Sequence, residues 1–320
     1  MPSQLSAPCW VIHDGAAGNR RQALALAEAL DLPYREWVLD ARGLARWLAP
    51  RKFPGADAAF GSEFAEALNN SAPALAIGCG RIAALATRQA REAGAKSVQI
   101  LDPRISPRHW DLVIAPEHDG LGGENVIAML GSLSPVDAEW LRRARQDFPQ
   151  LGKQSNPRTA VLLGGPTRAT RFDRSAFEVL CSKLEYWLAR DGGSLLVCGS
   201  RRTPPEWASL VRDRYRGAGQ LVWMDESDGS NPYAAILAWA DRIIVSPDSV
   251  NMISEACATT VPVYVAEPNR ATGRVRKFIQ SLQTRDRVRA QTHESVQFPV
   301  TPLNETRRVA ALVREQLSLR

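Results

Sequence analysis

The sequence predicts an α/β protein built from two tandem doubly wound units, each a parallel sheet covered by helices on both faces. Three observations carry that expectation. Short apolar runs alternate with helical stretches along the chain, the pattern of strands buried on both sides. The runs that matter most end in loops of glycine or small polar residues that open into helices. The alternation halts at one polar stretch, QLGKQSNPRT (150–159), which reads as a linker, and then restarts.

Taken in order, CWVIH (9–13) reads as a buried strand, DGAAGN as a loop and RRQALALAEAL as a helix. YREWVL (34–39), ALAIGCG (74–80), KSVQIL (96–101) and DLVIAP (111–116) read as further strands, with the helix RIAALATRQAREAG after the third run. The second unit opens with the strand AVLLGG (160–165) and the helix SAFEVLCSKLEYWLAR. SLLVCGS (194–200), QLVWMD (220–225), RIIVS (242–246) and PVYVAE (262–267) are its remaining strands, with TPPEWASLVRDRYR and NPYAAILAWA as helices. GRVRKFIQSLQ and NETRRVAALVREQL close the chain as helices. The expected division is 1–152 and 153–300, with 301–320 crossing back to the first unit. Such sheets bind ligands beyond the C-terminal ends of their strands, so the expected site is a cleft between the two units.

Composition narrows the function classes. The 320 residues are 45% hydrophobic and 23% charged, as in globular proteins and unlike disordered ones. No apolar run approaches the roughly 20 residues of a membrane span. The N-terminus lacks the features of a signal peptide, so a cytoplasmic protein is the default. The net charge of +6 is uneven. Residues 1–150 hold 16 Lys and Arg against 17 Asp and Glu, whereas 151–320 hold 24 against 17. That favours an anionic ligand or surface for the second unit, although a solvated basic face is as good a reading before motifs are considered. Five scattered cysteines read as small core residues. Four histidines show no paired spacing, so no metal site is expected.

The strand ends carry the chemistry. Helix N-termini offer unpaired N–H groups and partial positive charge, which suit anions. In HDGAAGNRRQ, Gly15 and Gly18 permit close backbone approach, with Asp14 and Asn19 at the strand end. GGPTRATRFD places Arg168 and Arg171 just past Gly164 and Gly165, a combination that suits a phosphate or diphosphate. GSRRTPP repeats the idea with Ser200, Arg201 and Arg202. Each loop alone is as readily an ordinary turn; two in the basic unit strengthen the anion reading. In SPDSVNMISEA (246–256), Asp248 is expected to cap a helix. Asp248, Asn251 and Glu255 share one helical face, and Val250, Ile253 and Cys257 another that would pack on the sheet. The polar face would then meet the cleft. Glu255 there could accept from vicinal hydroxyls such as those of a ribose, and Ser249 could help hold a phosphate.

The stretch LVWMDESDGSNPYAAILAWADRIIVSPDSVNMISEACATTVPVYVAE resembles the nucleotide-sugar half of GT-B glycosyltransferases, notably the lipid-intermediate GlcNAc transferases of peptidoglycan synthesis. More of the chain resembles the bacterial and plant mitochondrial-fission family, whose bacterial members are read as glycosyltransferases. DGAAGNRRQALALAEAL, GGPTRATRF, SPDSVNMISEAC and GRVRKFIQSL carry that likeness. The resemblance implies a GT-B fold of two Rossmann-like domains, the first for an acceptor and the second for a nucleotide-sugar donor. By that likeness Glu255 holds the ribose, Ser249, Gly165, Arg168 and Arg201 hold the diphosphate, and backbone near Met224 reads the base. No cofactor beyond the donor and no bound metal are implied. The peptidoglycan enzymes carry GGxGGH after the first strand; here the loop is DGAAGN, so acceptor and base do not carry over.

The expected reaction is sugar transfer from a nucleotide-sugar to a hydroxyl, with Asp14, Glu117 and His118 as candidate general bases. Asp14 equally suits a turn cap, and His118 a surface loop. The acceptor would be a glycolipid or lipopolysaccharide precursor, bringing peripheral contact with an anionic inner-membrane face; no nucleic-acid partner is expected. The rivals are a non-catalytic adaptor related to fission recruitment and a non-hydrolysing nucleotide-sugar epimerase.

Overall fold

The computed structural model describes residues 9–217, 219–294 and 296–319; residues 1–8, on which the signal-peptide expectation bears, lie outside them. The chain divides into two compact units, Met1–Pro135 with Asn304–Arg320, and Val136–Leu303.

The first unit runs β1 (Cys9–His13), α1 (Ala17–Ala29), β2 (Tyr34–Val38), α2 (Ala45–Leu48), α3 (Ser62–Ser71), β3 (Leu75–Cys79), α4 (Arg81–Glu92), β4 (Lys96–Ile100), β5 (Leu112–Pro116) and β6 (Val126–Met129). Among the described residues its six strands are all parallel, in the order β2-β1-β3-β4-β5-β6. β1 explains why its run is apolar throughout. Cys9 and Val11 join one core with Leu26 and Ile77, while Trp10 and Ile12 join the opposite core with Trp37, Phe64 and Leu85. Successive side chains alternate between faces, and both faces are covered.

The second unit runs α5 (Ala138–Asp147), β7 (Arg158–Leu162), α6 (Arg174–Asp191), β8 (Ser194–Cys198), α7 (Pro205–Tyr215), β9 (Gln220–Trp223), α8 (Tyr233–Trp239), β10 (Arg242–Val245), α9 (Val250–Cys257), β11 (Val263–Val265), α10 (Gly273–Thr284) and β12 (Val288–Ala290). Its sheet is also parallel among the described residues, in the order β12-β11-β10-β7-β8-β9. A last helix, α11 (Glu305–Gln316), belongs to the first unit. Val309, Ala310 and Val313 enter the core beside Leu26 and Ala27 of α1. The Glu305 carboxylate accepts from the Leu130 N–H at 2.7 Å, and the Thr306 hydroxyl bonds both the N–H and the carbonyl of Ser134.

The division falls after residue 135 rather than 152. The reason is local: α5 docks on α8 and belongs with the second unit. Arg145 donates to the Ala238 carbonyl at 2.8 Å, Trp239 Nε1 donates to the Phe148 carbonyl, and the Trp239 ring lies against Gly152, where a Cβ would come within 2.5 Å of it. The linker stretch is therefore packed into that unit. β6 and β12 were not apparent from sequence because both are short edge strands, and β12 carries an arginine.

Each sheet reverses its winding once, between β1 and β3 and between β7 and β10. These are the places where doubly wound sheets open a crevice for ligands.

Candidate functional site at the β7/β10 crevice

In the second unit, the loops after β7, β8 and β10 meet because those strands are neighbours. Ser246 directly follows β10, and its hydroxyl accepts from the Gly164 N–H at 2.7 Å and donates to Asp248 Oδ1 at 2.6 Å. Asp248 Oδ2 accepts from Arg202 Nε at 3.0 Å and Nη2 at 2.6 Å. The Asp248 side chain is 0% exposed and that of Arg202 46%, so one end of the ion pair is dry and the other wet. A Cβ on Gly164 would fall 2.1 Å from Asp248 Oδ1, and one on Gly165 would fall 2.0 Å from the Arg202 carbonyl. The double glycine thus admits the chain's own carboxylate and neighbouring backbone. Thr203 Oγ1 donates to the Leu163 carbonyl at 2.7 Å and closes the two loops on each other.

The donor-side candidates sort against that scaffold. Arg168, Arg171 and Arg201 are exposed, with no side-chain ion pair or hydrogen bond among the described residues. They sit on the two interlocked loops, so three free guanidinium groups are held on one region of the unit. Ser200 builds its loop: its hydroxyl accepts from the Arg202 N–H at 3.2 Å, and its own N–H donates to Thr203 Oγ1. Ser249, rather than Asp248, caps α9, accepting from the Met252 N–H at 3.3 Å. Its own proton remains available to a ligand. Asn251 is half-buried on the first turn of α9.

Two expected contacts are taken up internally. Glu255 is 2% exposed, and the Tyr233 hydroxyl of α8 donates to its carboxylate. The face that sequence spacing directs into open space therefore turns inward at its far end. Met224 is buried, and its N–H donates to Asp228 Oδ2 at 2.8 Å. Asp228 is in turn gripped by Arg212, whose hydrogen bonds hold its carboxyl below the ordinary range. Sequence reasoning missed Ser246, the Arg202–Asp248 pair and Tyr233. A glutamate inside the short apolar stretch VNMISEAC demands a buried donor, and that demand was the available signal for Tyr233. Nothing in GSRRTPP tells which arginine is paired.

In the first unit, the β1/β3 crevice is pinned by Asn19. Its amide donates to both oxygens of Asp14, at 3.0 and 3.1 Å, and lies where a Cβ on Gly80 would come within 2.5 Å of it. The Asp14 carboxylate also accepts from the Ala16 N–H, so it shapes the turn while remaining exposed. His13 is fully buried. Its Nδ1 accepts from the Gly15 N–H at 3.0 Å, which leaves Nε2 to donate to Glu36 at 2.8 Å. Arg20 binds the same carboxylate through two hydrogen bonds and is the main cause of its pKa falling to about 2.

Glu117 and His118 lie in a single turn after β5. β3 and β4 stand between that turn and Asp14, so at roughly 4.8 Å per strand the two candidate regions are about 14 Å apart. They are separate candidates rather than one constellation. Burial pushes the His118 pKa down, which keeps the imidazole neutral and able to take a proton at pH 7. Burial raises that of Asp119 beside it. All five cysteines are free and buried. Among the described residues no group of three or more His, Cys, Asp or Glu is placed to hold a metal ion, and no helix is long and apolar enough to cross a membrane.

The family model described as Mitochondrial fission ELM1 matches residues 17–317. The chain belongs to the mitochondrial fission ELM1 family. A curated relative, the Arabidopsis thaliana mitochondrial fission protein ELM1, is 31% identical over 284 residues, covering 78% of this chain and 65% of the relative. The match therefore spans somewhat less than two thirds of that protein's length. The Rickettsia prowazekii (strain Madrid E) protein RP120, described as uncharacterized, is 24% identical over 97% of this chain and 98% of its own.

Solved structures give the ELM1-family chain its fold. The UDP-GlcNAc 2-epimerase of Methanocaldococcus jannaschii aligns with a TM-score of 0.57 at 11% identity, over 96% of this chain and 99% of that one. The UDP-bound MnaA of S. aureus aligns at 0.54 and 12%, over 98% of each chain. MurG of Acinetobacter baumannii aligns at 0.51 and 12%, over 97% and 99%. The two parallel-sheet units are thus those of the GT-B fold.

Proposed function

We propose that the protein transfers a sugar from a nucleotide-sugar to a hydroxyl acceptor, with the second unit binding the donor. The observation that carries this reading is the set of three unpaired, exposed arginines on loops that converge at the β7/β10 crevice. Arg168, Arg171 and Arg201 supply the charge that a leaving diphosphate develops, and the first turn of α9 with Ser249 adds N–H and hydroxyl donors. The S. aureus MnaA neighbour is a complex with UDP, so uridine nucleotides are the first to try. In the first unit Asp14 and neutral His118 are the candidate bases for the acceptor hydroxyl. A lipid-linked acceptor would place the enzyme at a membrane surface.

A second reading, a non-catalytic adaptor, is favoured by one observation: the curated relative is named for mitochondrial fission. Thermal unfolding with UDP, GDP, ADP and CMP separates the two. The enzyme reading expects one nucleotide to raise Tm, and Arg168→Ala with Arg201→Ala to weaken its binding by at least tenfold, since charge-assisted contacts contribute about 1.5–3 kcal/mol each. No response to any nucleotide sinks it. Incubation with the matching nucleotide-sugar, alone and with hydroxyl acceptors, then distinguishes transfer from epimerisation by product.

A further inference from the structure

The segment between β2 and α3 presents apolar side chains to solvent on a fixed backbone. Trp47 is 81% exposed, Leu44 65% and Leu48 38%. They stand at i, i+3 and i+4 around α2, so they share its outer face, while Ala45 and Ala49 face the core beside Phe60 and Phe64. This is an amphipathic turn with its larger apolar side chains turned outward.

The presentation is held rather than loose. Arg81 of α4 donates to the carbonyls of Arg46, Trp47 and Ala49, and Arg88 donates to that of Pro50 at 2.6 Å. Gln89 of the same helix donates to the Ala56 carbonyl, and the Arg42 N–H to that of Ala59. The backbone carbonyls of the turn are thus satisfied by its own unit.

Cations flank the apolar side chains along the chain. Arg42, Arg46 and Arg51 are exposed, and their guanidinium groups have no ion pair or hydrogen bond among the described residues. Lys52 pairs with Glu92. Asp57 is the one acid between residues 41 and 58. This local excess stands out because residues 1–150 taken whole hold 16 basic against 17 acidic residues. An exposed tryptophan and two leucines in a segment with three unpaired, exposed arginines match the boundary of an anionic bilayer. There the indole and the leucines enter the acyl edge, and the guanidiniums meet lipid phosphates.

We propose that residues 42–52 form a membrane-docking surface for anionic lipid bilayers. This rests on the first unit alone and does not require the donor-site reading. The basic excess of the second half, which from sequence suggested the membrane contact, is not needed for it.

The test is co-sedimentation of the full chain with phosphatidylcholine vesicles, with and without phosphatidylglycerol. The wild type is expected to sediment with the anionic vesicles, less so as salt rises, and to stay largely in the supernatant with the neutral ones. Trp47→Ser with Leu44→Ser is expected to lower the partition coefficient at least tenfold, with Tm unchanged because both side chains are mostly exposed. Arg46→Glu is expected to weaken binding to anionic vesicles only. Wild-type protein that stays in solution with anionic vesicles overturns the proposal, as does a double variant that binds as well as wild type. If the double variant instead dissociates an oligomer in lipid-free solution, the face is a contact between copies and the lipid reading fails.

Discussion

Gly164→Ala and Asp248→Ala form a pair whose energies should fail to add. The backbone at Gly164 is not in the left-handed region, so alanine meets no conformational objection there. The obstacle is the Asp248 carboxylate, whose oxygens lie 2.1 and 2.2 Å from the new Cβ. That carboxylate cannot move aside freely, since Ser246 holds one oxygen at 2.6 Å and Arg202 the other at 2.6 and 3.0 Å. Overpacking of this kind costs about 1–3 kcal/mol, and a forced break in the ion pair adds to it, so about 3 kcal/mol is expected. Asp248→Ala alone should cost about 2 kcal/mol. Its partner Arg202 is 46% exposed and returns to water, so no buried charge is stranded. Simple addition gives about 5 kcal/mol for the double variant. The expected value is about 2–3 kcal/mol, because the new methyl group fills the space that the carboxylate leaves. Urea unfolding followed by tryptophan fluorescence and circular dichroism measures the cycle. Additivity to within about 0.5 kcal/mol would refute the packing argument and show that Asp248 is not what fixes glycine at 164.

Two further predictions concern charged groups elsewhere in the two units. Glu36 has its pKa lowered to about 2 by Arg20, from an ordinary value of 4.5. A depressed carboxylate contributes stability above its unfolded pKa and loses it as pH falls towards the folded one. Glu36→Gln should therefore flatten the acid side of the stability profile between pH 4.5 and 2, by about 1–2 kcal/mol after solvent screening. Urea midpoints against pH measure this, and an unchanged acid slope would count against it. Arg287 is 3% exposed and donates to the carbonyls of Cys257 and Thr259 at 3.0 and 2.9 Å, closing the C-terminal end of α9. Arg287→Met should cost about 3 kcal/mol, and Arg287→Lys should restore part of it, since an ammonium spans fewer of these carbonyls than a guanidinium. A thermal scan with methionine tolerated at no cost would refute the capping role.

The fold was legible because a parallel sheet buried on both faces writes itself as apolar runs, and such runs as CWVIH and SLLVC became strands with every residue buried. What escaped was set by partners distant in sequence. Whether 138–153 belonged to the first or second unit turned on Trp239 and Ala238, about ninety residues away. At the site, spacing along a helix placed Glu255 correctly on α9 but could not say what it faced. The face was settled by Tyr233, which a periodicity argument does not see. Likewise the glycines at 164 and 165 signalled a close approach correctly. The approaching groups are the chain's own carboxylate and carbonyl, where sequence reasoning put only a ligand.

That last point bears on how an anion would be held. A carboxylate at the mouth of a phosphate site is unfavourable by itself, because like charges within a few ångströms repel. Asp248 is compatible with the proposed anion site because Arg202 and Ser246 take both of its oxygens, leaving its charge spent inside the scaffold. The neighbouring acid on the β7 side, Asp173, is likewise occupied, capping α6 and pairing with Arg270. With both acids neutralised by other partners, Arg168, Arg171 and Arg201 contribute uncompensated positive charge. An anion bound there should weaken steeply with salt. Asp248→Asn together with Arg202→Gln, which removes the pair without a change in net charge, should leave affinity unchanged if the pair is purely a scaffold, and tighten it if the carboxylate still repels the anion. Nucleotide affinity measured for that double variant across a salt series therefore reads whether Asp248 supports the loops or opposes the ligand.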